Sequence, residues 1–233
     1  MKKIVFLLSA ILIFSHSSFA QDKAFKRGKI TISIGAGLGI YGTKTHHEQN
    51  QTVYSGGTLH TERVVKDTTG GAGAGVFPLT VEFGLTNWLG VGARLGFSKY
   101  IANADSTNKN IKPTVSGLDE QLLVNLHFVK TKHFDMPLQL TVGYSNLKYR
   151  SNDVKASMAK GGGLTYGFAL VPRIYFGEHI GMFFNLGYTG FKYPDMKFSD
   201  SSNSSLNADS GDLKYNLSAS GVNAGLGLVV KFL

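Results

Sequence analysis

The feature that most constrains the fold of this chain is a long, strict alternation of apolar residues with small or polar ones. In the first such segment every second residue from Ile30 to Ile40 is apolar, and the residues between them are Thr, Ser and Gly. A period of two places successive side chains on opposite faces of a β-strand. The alternation therefore predicts an all-β chain whose strands each have one apolar face and one small or polar face.

The alternation recurs in eight segments, joined in turn by short and by long connections. Short connections lie at Thr86-Asn87, 130–135 and 177–179, and long polar ones near residues 43–72, 102–116, 150–162 and 194–215. An even strand number, with short turns at one end and long loops at the other, is typical of outer-membrane barrels. The predicted fold is an eight-stranded antiparallel up-and-down transmembrane β-barrel with short periplasmic turns and long extracellular loops. Its predicted strands are residues 30–40, 77–85, 89–97, 121–128, 138–144, 164–176, 180–188 and 222–232.

Strand length favours a membrane barrel over a soluble β-sandwich. Residues 30–40 span about 33 Å at about 3.3 Å per residue. A tilt of about 40° leaves a height of about 25 Å, which matches the apolar band of such barrels. Charged residues make up 17% of the chain, below the roughly 25% of soluble domains, as a lipid-facing surface requires. The chain has no Cys, which excludes a disulfide scaffold and a cysteine nucleophile.

The N-terminus has the pattern of a secretory signal peptide. Lys2 and Lys3 precede the apolar stretch 4–14, and Ser18-Phe19-Ala20 fits a signal-peptidase site. We therefore expect residues 1–20 to be removed, which lowers the formal net charge from +9 to +7. Residues 21–28 are then predicted to be a periplasmic segment and residues 29–233 the barrel domain. The predicted location is the outer membrane of a Gram-negative bacterium.

Aromatic residues near the strand ends predict two girdles at the membrane interfaces. The extracellular girdle would contain Tyr41, Tyr100, Tyr149 and Tyr193. The periplasmic girdle would contain Trp88, Phe128, Phe176 and Phe232.

The interior of an eight-stranded barrel is just wide enough to be filled by side chains. The alternation predicts four inward charges, which should form a structural network: Glu82, Arg94, Arg173 and Lys231. Because an unpaired buried charge is costly, we expect them to pair with one another or with Asp119, Gln121 and Asn223. Large inward side chains such as Tyr175, Phe183 and Phe191 are expected to lean across the lumen onto the glycine-rich strands.

The final segment carries the most specific resemblance to a known family. Residues 222–232 alternate strictly and end on Phe232, followed by Leu233. With this segment and the overall pattern, the chain resembles the small outer-membrane β-barrel, porin-like proteins of the OmpA transmembrane-domain, OmpX and opacity-protein type. The resemblance implies recognition of the last strand by the barrel-assembly machinery. Pro78 and Pro172 depart from the pattern and predict a bulge or a missing ladder bond.

The resemblance and the loops point to a non-enzymatic structural and surface-interaction role. Residues 52–65 alternate around Gly56-Gly57, which predicts a hairpin that continues the first two strands above the membrane. Such a hairpin favours an extracellular protein or glycan ligand. Basic residues around the third long loop could contact lipopolysaccharide phosphates: Lys148, Arg150, Lys155 and Lys160.

Two alternative functions remain open, a small gated porin-like channel and a lipid-modifying enzyme. The enzyme would need a histidine beside a serine nucleophile and an acidic residue. None of the six histidines after residue 20 stands in a His-x-Ser element: His46, His47, His60, His127, His133 and His179. No catalytic, cofactor-binding or metal site is therefore predicted. Outer-membrane lipids are the expected surroundings, nucleic acid is not an expected partner, and the chain is expected to be a monomer.

Overall fold

The computed structural model describes residues 23–101, 114–150, 157–194, 196–200 and 214–232. The predicted signal peptide therefore lies outside the described residues. The described residues form strands β1 (Ile30–Ser55), β2 (Thr58–Gly84), β3 (Leu89–Ile101), β4 (Thr114–Lys130), β5 (Phe134–Arg150), β6 (Ser157–Leu170), β7 (Arg173–Tyr175), β8 (Ile180–Tyr193), β9 (Lys197–Asp200) and β10 (Lys214–Phe232). Within those ranges, no helix is long and apolar enough to cross a membrane.

The strands close into one antiparallel ring. Each strand from β1 to β5 pairs with the strand that follows it in the chain, and β6 pairs with β8. Pairing of β10 with both β8 and β1 closes the sheet. Because β7 continues β6 in the same register and β9 extends β8, the ring has eight walls. The predicted eight-stranded up-and-down barrel is confirmed.

The two strand faces lie as the alternation predicts. Leu38 and Ile40 are 72% and 73% exposed on the outer surface, while Thr31 and Val229 are buried inside. The outer surface of the barrel is therefore apolar, and its interior contains both polar and apolar side chains. Without a lipid bilayer, this surface would be an unusually large exposed apolar patch.

β1 and β2 are much longer than predicted, because most of the first long connection is itself strand. They contain 26 and 27 residues and stay paired up to Ser55 and Thr58. Gly56 and Gly57 both have positive φ, 62° and 83°, as a two-residue hairpin turn requires. The predicted hairpin, in which the first two strands continue above the membrane, is confirmed, and residues 43–72, counted above as a long polar connection, are strand except for the turn at Gly56-Gly57.

The two strand prolines interrupt pairing where predicted. On the β1 side of Pro78, pairing passes from Ile34–Leu79 to Gly37–Val76 and leaves a gap at Gly35 and Ala36. Pro172 lies in the break between β6 and β7. Both gaps arise because proline has no backbone N–H to donate. A further irregularity, between His127 and Val129 opposite Met136 and Pro137, was not predicted.

Phe183 contacts glycine-rich strands, as the sequence predicts, but it reaches them from the neighbouring strand. The ring of Phe183 lies over Gly227 and Gly35, so closely that a Cβ at either glycine would be 2.7 Å from it. Gly227 lies on β10 and Gly35 on β1, which are the next two strands around the ring from β8. The ring of Phe183 therefore lies over the strands next to its own and does not cross the lumen.

Candidate functional site

Four ionisable side chains form a buried cluster at the periplasmic end of the lumen. The ring of His127 links two carboxylates, with Nε2 2.6 Å from Glu82 and Nδ1 2.8 Å from Asp135. Arg173 Nη1 lies 2.7 Å from Glu82 and 3.6 Å from Asp135. All four side chains are buried.

The hydrogen-bonding partners determine the charge of this cluster. Ionised carboxylates only accept hydrogen bonds, so both ring nitrogens of His127 must donate. A doubly protonated His127 together with Arg173 balances the two negative charges of Glu82 and Asp135. The cluster is therefore neutral overall, which is the condition under which buried charges are tolerated.

The N-terminal segment covers this cluster from the periplasmic side. The ring of Phe25 stacks on that of His127 with centroids 3.4 Å apart and planes 5° apart. Ala24 donates a backbone hydrogen bond to Thr131, and Gly28 donates one to Gly84. Phe25 is buried as deeply as the charges beneath it. Thus Ala24 and Phe25, predicted only to belong to a periplasmic segment, form part of the packed interior, whereas Arg27 and Gly28 are exposed.

The four predicted network residues have different partners. Glu82 and Arg173 meet in the buried cluster, whereas Arg94 donates a 2.8 Å hydrogen bond to Gln121 farther along the lumen. The ammonium of Lys231 lies 4.7 Å from the centre of the Tyr175 ring.

Sequence reasoning missed the parts that His127, Asp135 and Phe25 play. The alternation places His127 on the inner face, but Asp135 was predicted to lie in a short turn. Because β5 begins at Phe134, Asp135 instead enters the strand and points inward.

The proposed extracellular girdle needs correction. Tyr41 and Tyr193 are only 3% and 2% exposed and belong to an interior cluster with Phe191. Tyr100 and Tyr149 pack against the same cluster. The physical reason is that successive residues of a strand point to opposite faces. Ile40 points outward, so Tyr41 points into the interior. Trp88, Phe128, Phe176 and Phe232 are exposed on the outside, and a periplasmic girdle stays a prediction for these four.

The aromatic cluster forms the floor of an extracellular mouth. Its polar anchor is Ser145, which donates a 2.5 Å hydrogen bond to Asp119 and lies 2.8 Å from the Tyr193 hydroxyl. A cavity of about 470 Å³ lies at this level. Its interior lining is aromatic and aliphatic and includes Tyr41, Tyr100, Leu147, Tyr193 and Leu217.

Above the mouth, β1 and β2 continue as a two-stranded ribbon, which we define as residues 49–64. β1 pairs with β10 up to Glu48, while β2 pairs with β3 only from Gly73 onward. Residues 60–72 of β2 therefore pair with β1 alone among the described residues.

Charged side chains bridge the two strands at the base of the ribbon. His46 Nδ1 lies 2.6 Å from Asp67 and Nε2 lies 3.0 Å from Glu48, while Arg63 donates a 2.6 Å hydrogen bond to Glu48. Hydrogen bonds to Glu48 and Asp67 raise the pKa of His46. Hydrogen bonds from His46 and Arg63 lower the pKa of Glu48. Because the two carboxylates contact opposite ring nitrogens, His46, Glu48 and Asp67 do not converge on one point.

No group of three or more potential metal ligands is suitably arranged within the described ranges. The lysine cluster predicted at the third long loop is described in part. Lys148 and Lys160 are direct cross-strand partners, and both are exposed. Lys155 lies outside the described residues.

Comparison with solved structures identifies the fold. The outer membrane protein OprG of Pseudomonas aeruginosa is 14% identical, with 89% of this chain and 97% of that one covered and a TM-score of 0.52. The outer membrane protease OmpT of Escherichia coli (12% identity, 93% and 100% covered) gives a TM-score of 0.46. The attachment invasion locus protein Ail of Yersinia pestis (14% identity, 88% and 99% covered) gives 0.40. No protein-family profile and no curated protein matches the chain.

The ring of eight walls, the apolar exterior and the filled interior define the class as an outer-membrane β-barrel. Within that class, the chain has the fold of the small outer-membrane barrels, as its alternation and its final strand predict. At 14% identity the likeness to OprG concerns the fold, so the function must be argued from the sites themselves.

Proposed function

We propose that this chain, after secretion by its signal peptide, is a non-enzymatic outer-membrane barrel that supports the envelope and binds extracellular partners. The observation that carries the proposal is the edge of β2 over residues 60–72, which pairs with β1 alone among the described residues. A strand edge presents backbone donors and acceptors to which an extended segment of a partner can add.

Side chains along this edge favour a selective partner over self-association. Two acidic and two basic residues lie within one short stretch, and all four are exposed: Glu62, Arg63, Lys66 and Asp67. Charges on an edge strand oppose unspecific pairing with other edges. Val64 and Val65 are exposed beside them, so a partner strand would gain apolar contact as well as hydrogen bonds.

Shortening the ribbon tests this role without disturbing the barrel. Glu48 and Val65 are cross-strand partners, so replacing residues 49–64 by Gly-Gly keeps the register below them. We expect the shortened protein, which keeps only residues 65–72 of this edge, to support weaker binding of cells to immobilised collagen, laminin or a sulfated glycan. Heat-modifiable gel mobility should be unchanged, because the barrel pairing is intact. Full binding by the shortened protein would contradict the proposal.

A second candidate function is capture of a small apolar molecule at the extracellular mouth, which the aromatic and aliphatic lining of its cavity supports. Fluorescence of 1-N-phenylnaphthylamine should rise on binding to the refolded protein. Ala219→Trp would fill the cavity and should abolish that rise, while Ala36→Trp on the outer surface should not.

A gated channel remains the runner-up to these binding roles. The neutral charge cluster beneath Phe25 argues against a permanently open pore. We expect no steady current when the wild-type protein is inserted into planar bilayers. A continuous ohmic current would favour the channel.

A further inference from the structure

A groove crosses the outer wall of the barrel at its extracellular edge, over β1, β10, β8 and β6. Its upper row is a line of cross-strand partners, in which Lys44 pairs with Ser218 and Ser218 pairs with Lys192. Leu164 of β6 ends the row as the partner of Lys192. Because adjacent strands lie about 4.8 Å apart, the Lys44 and Lys192 backbones are about 10 Å apart.

Small residues form the row immediately below the lysines on β1, β10 and β8, and Tyr166 of β6 ends this row with its ring over Gly190. Gly42 pairs with Ser220, and Ser220 pairs with Gly190. The outer side of Gly42 is open, since a Cβ there would have only one neighbouring atom, 3.8 Å away. Two adjoining depressions of about 690 and 390 Å³ share Lys44, Lys192 and Ser218 in their lining. The wall therefore has space for a bulky headgroup between and below the two ammonium groups.

The next row down is entirely apolar or aromatic. Ile40 pairs with Val222, Val222 with Tyr188, and Tyr188 with Phe168. The rings of Tyr188 and Phe168 stack with centroids 5.8 Å apart. This row is the upper margin of the apolar outer surface, so the groove joins a cationic edge directly to the surface expected to contact acyl chains.

The two lysines are available to bind an anion. Both are exposed, and no carboxylate of a described residue forms an ion pair with either one. Asp67 also lines the groove but lies 2.6 Å from His46. Paired lysines are common phosphate ligands because each ammonium acts as a compact charge with three donors.

We propose that this groove binds a phosphorylated glycolipid of the outer leaflet. The phosphate lies between Lys44 and Lys192, the sugar fills the space over Gly42 and Ser220, and the acyl chains cover the row that begins at Ile40. The continuity of charged, small and apolar rows favours a lipid over free phosphate. This inference rests on the outer-membrane placement of the proposed function and is independent of any partner of the ribbon.

Native mass spectrometry of the refolded full chain in detergent tests the site, with bisphosphorylated lipid A as the probe. We expect the wild type to retain lipid A and Lys44→Gln/Lys192→Gln to bind it about tenfold more weakly or worse. The matched control is Lys99→Gln/Lys197→Gln, which removes two exposed charges elsewhere on the same rim, outside the lysine cluster of the third long loop, and should change binding less than about twofold. Equal loss in both double variants would overturn the proposal in favour of unspecific attraction.

Two further experiments distinguish the effect of charge on lipid A binding from the effects of groove shape and of the ligand's chemical source. Ser220→Phe fills the groove without changing charge and should also weaken lipid A binding, with heat-modifiable mobility as the folding check. Inorganic phosphate should not compete, and dephosphorylated lipid A should bind weakly. Competition by inorganic phosphate, or equal binding of the dephosphorylated lipid, would each overturn the proposal. A variant that binds lipid normally but no longer supports adhesion would place the failure in the ribbon instead.

Discussion

At the residue scale, the interior is organised by the pairing of each buried charge. His127 lies between Glu82 and Asp135, and Arg173 contacts both carboxylates. The alternation alone predicts that Glu82 and Arg173 point inward, because facing depends only on parity along a strand. It does not predict that Asp135 joins them, because that depends on the residue at which β5 begins.

Removing one member of this cluster should destabilise the barrel strongly. Asp135→Ala leaves His127 and Arg173 with a single carboxylate, and we expect the free energy of unfolding to fall by about 3–5 kcal/mol. Urea titration of the refolded protein in lipid vesicles, followed by gel mobility, measures the change. Asp67→Ala, at an exposed ion pair, is the control and should cost about 0–1 kcal/mol. Similar losses in both variants would show that the cluster is not specially coupled.

At the scale of elements, the β1–β2 ribbon is stabilised by cross-strand charges near its base. Its turn could be predicted, because Gly56-Gly57 between alternating residues is a hairpin signal. Its length could not, because polar residues such as those at 43–52 fit a loop as well as a solvated strand. The continuous pairing with β10 up to Glu48 decides in favour of the strand.

The His46 pairing should make the ribbon base more ordered in mildly acidic solution. Since the pKa of His46 is raised on folding, its contribution is complete below the ordinary His value of about 6.5. It is lost as the pH rises through the higher folded value. At the acidic end, the contribution is lost when Glu48 is protonated. Because the pKa of Glu48 is lowered, this occurs only below the usual glutamate range.

Amide hydrogen exchange at residues 43–48 and 65–70, corrected for intrinsic rates, measures this dependence. Protection should decline as the pH rises above about 6.5 in the wild type. His46→Gln should have little pH dependence over the same range. An unchanged profile in His46→Gln would mean that another group controls the ribbon base.

At the scale of the whole molecule, the barrel has an apolar exterior, whereas a soluble barrel has a polar one. Leu140 is exposed on the outer face, between Val124 of β4 and Phe168 of β6. The large exposed apolar surface is stable only if lipid covers it. This requirement gives a direct test of which face meets the bilayer.

A charge at the middle of that surface should oppose insertion. Leu140→Arg is expected to lower the free energy of unfolding from vesicles by about 2–4 kcal/mol, as for basic residues at the bilayer midplane. Leu140→Met, which conserves volume and polarity, should cost less than about 1.5 kcal/mol. Reversible refolding into phosphatidylcholine vesicles measures both. A neutral effect of Leu140→Arg would count against lipid contact at this position.

The sequence by itself determined the number of walls, the face on which each strand residue lies and the breaks at Pro78 and Pro172. Each of these follows from local chemistry, namely the two-residue period and the missing proline N–H. Only the tertiary structure decided that Tyr41 and Tyr193 form the mouth floor, that Phe25 covers His127, and that two distant lysines share one groove. These arrangements depend on how the ring closes and on strand register, which bring together residues far apart along the chain.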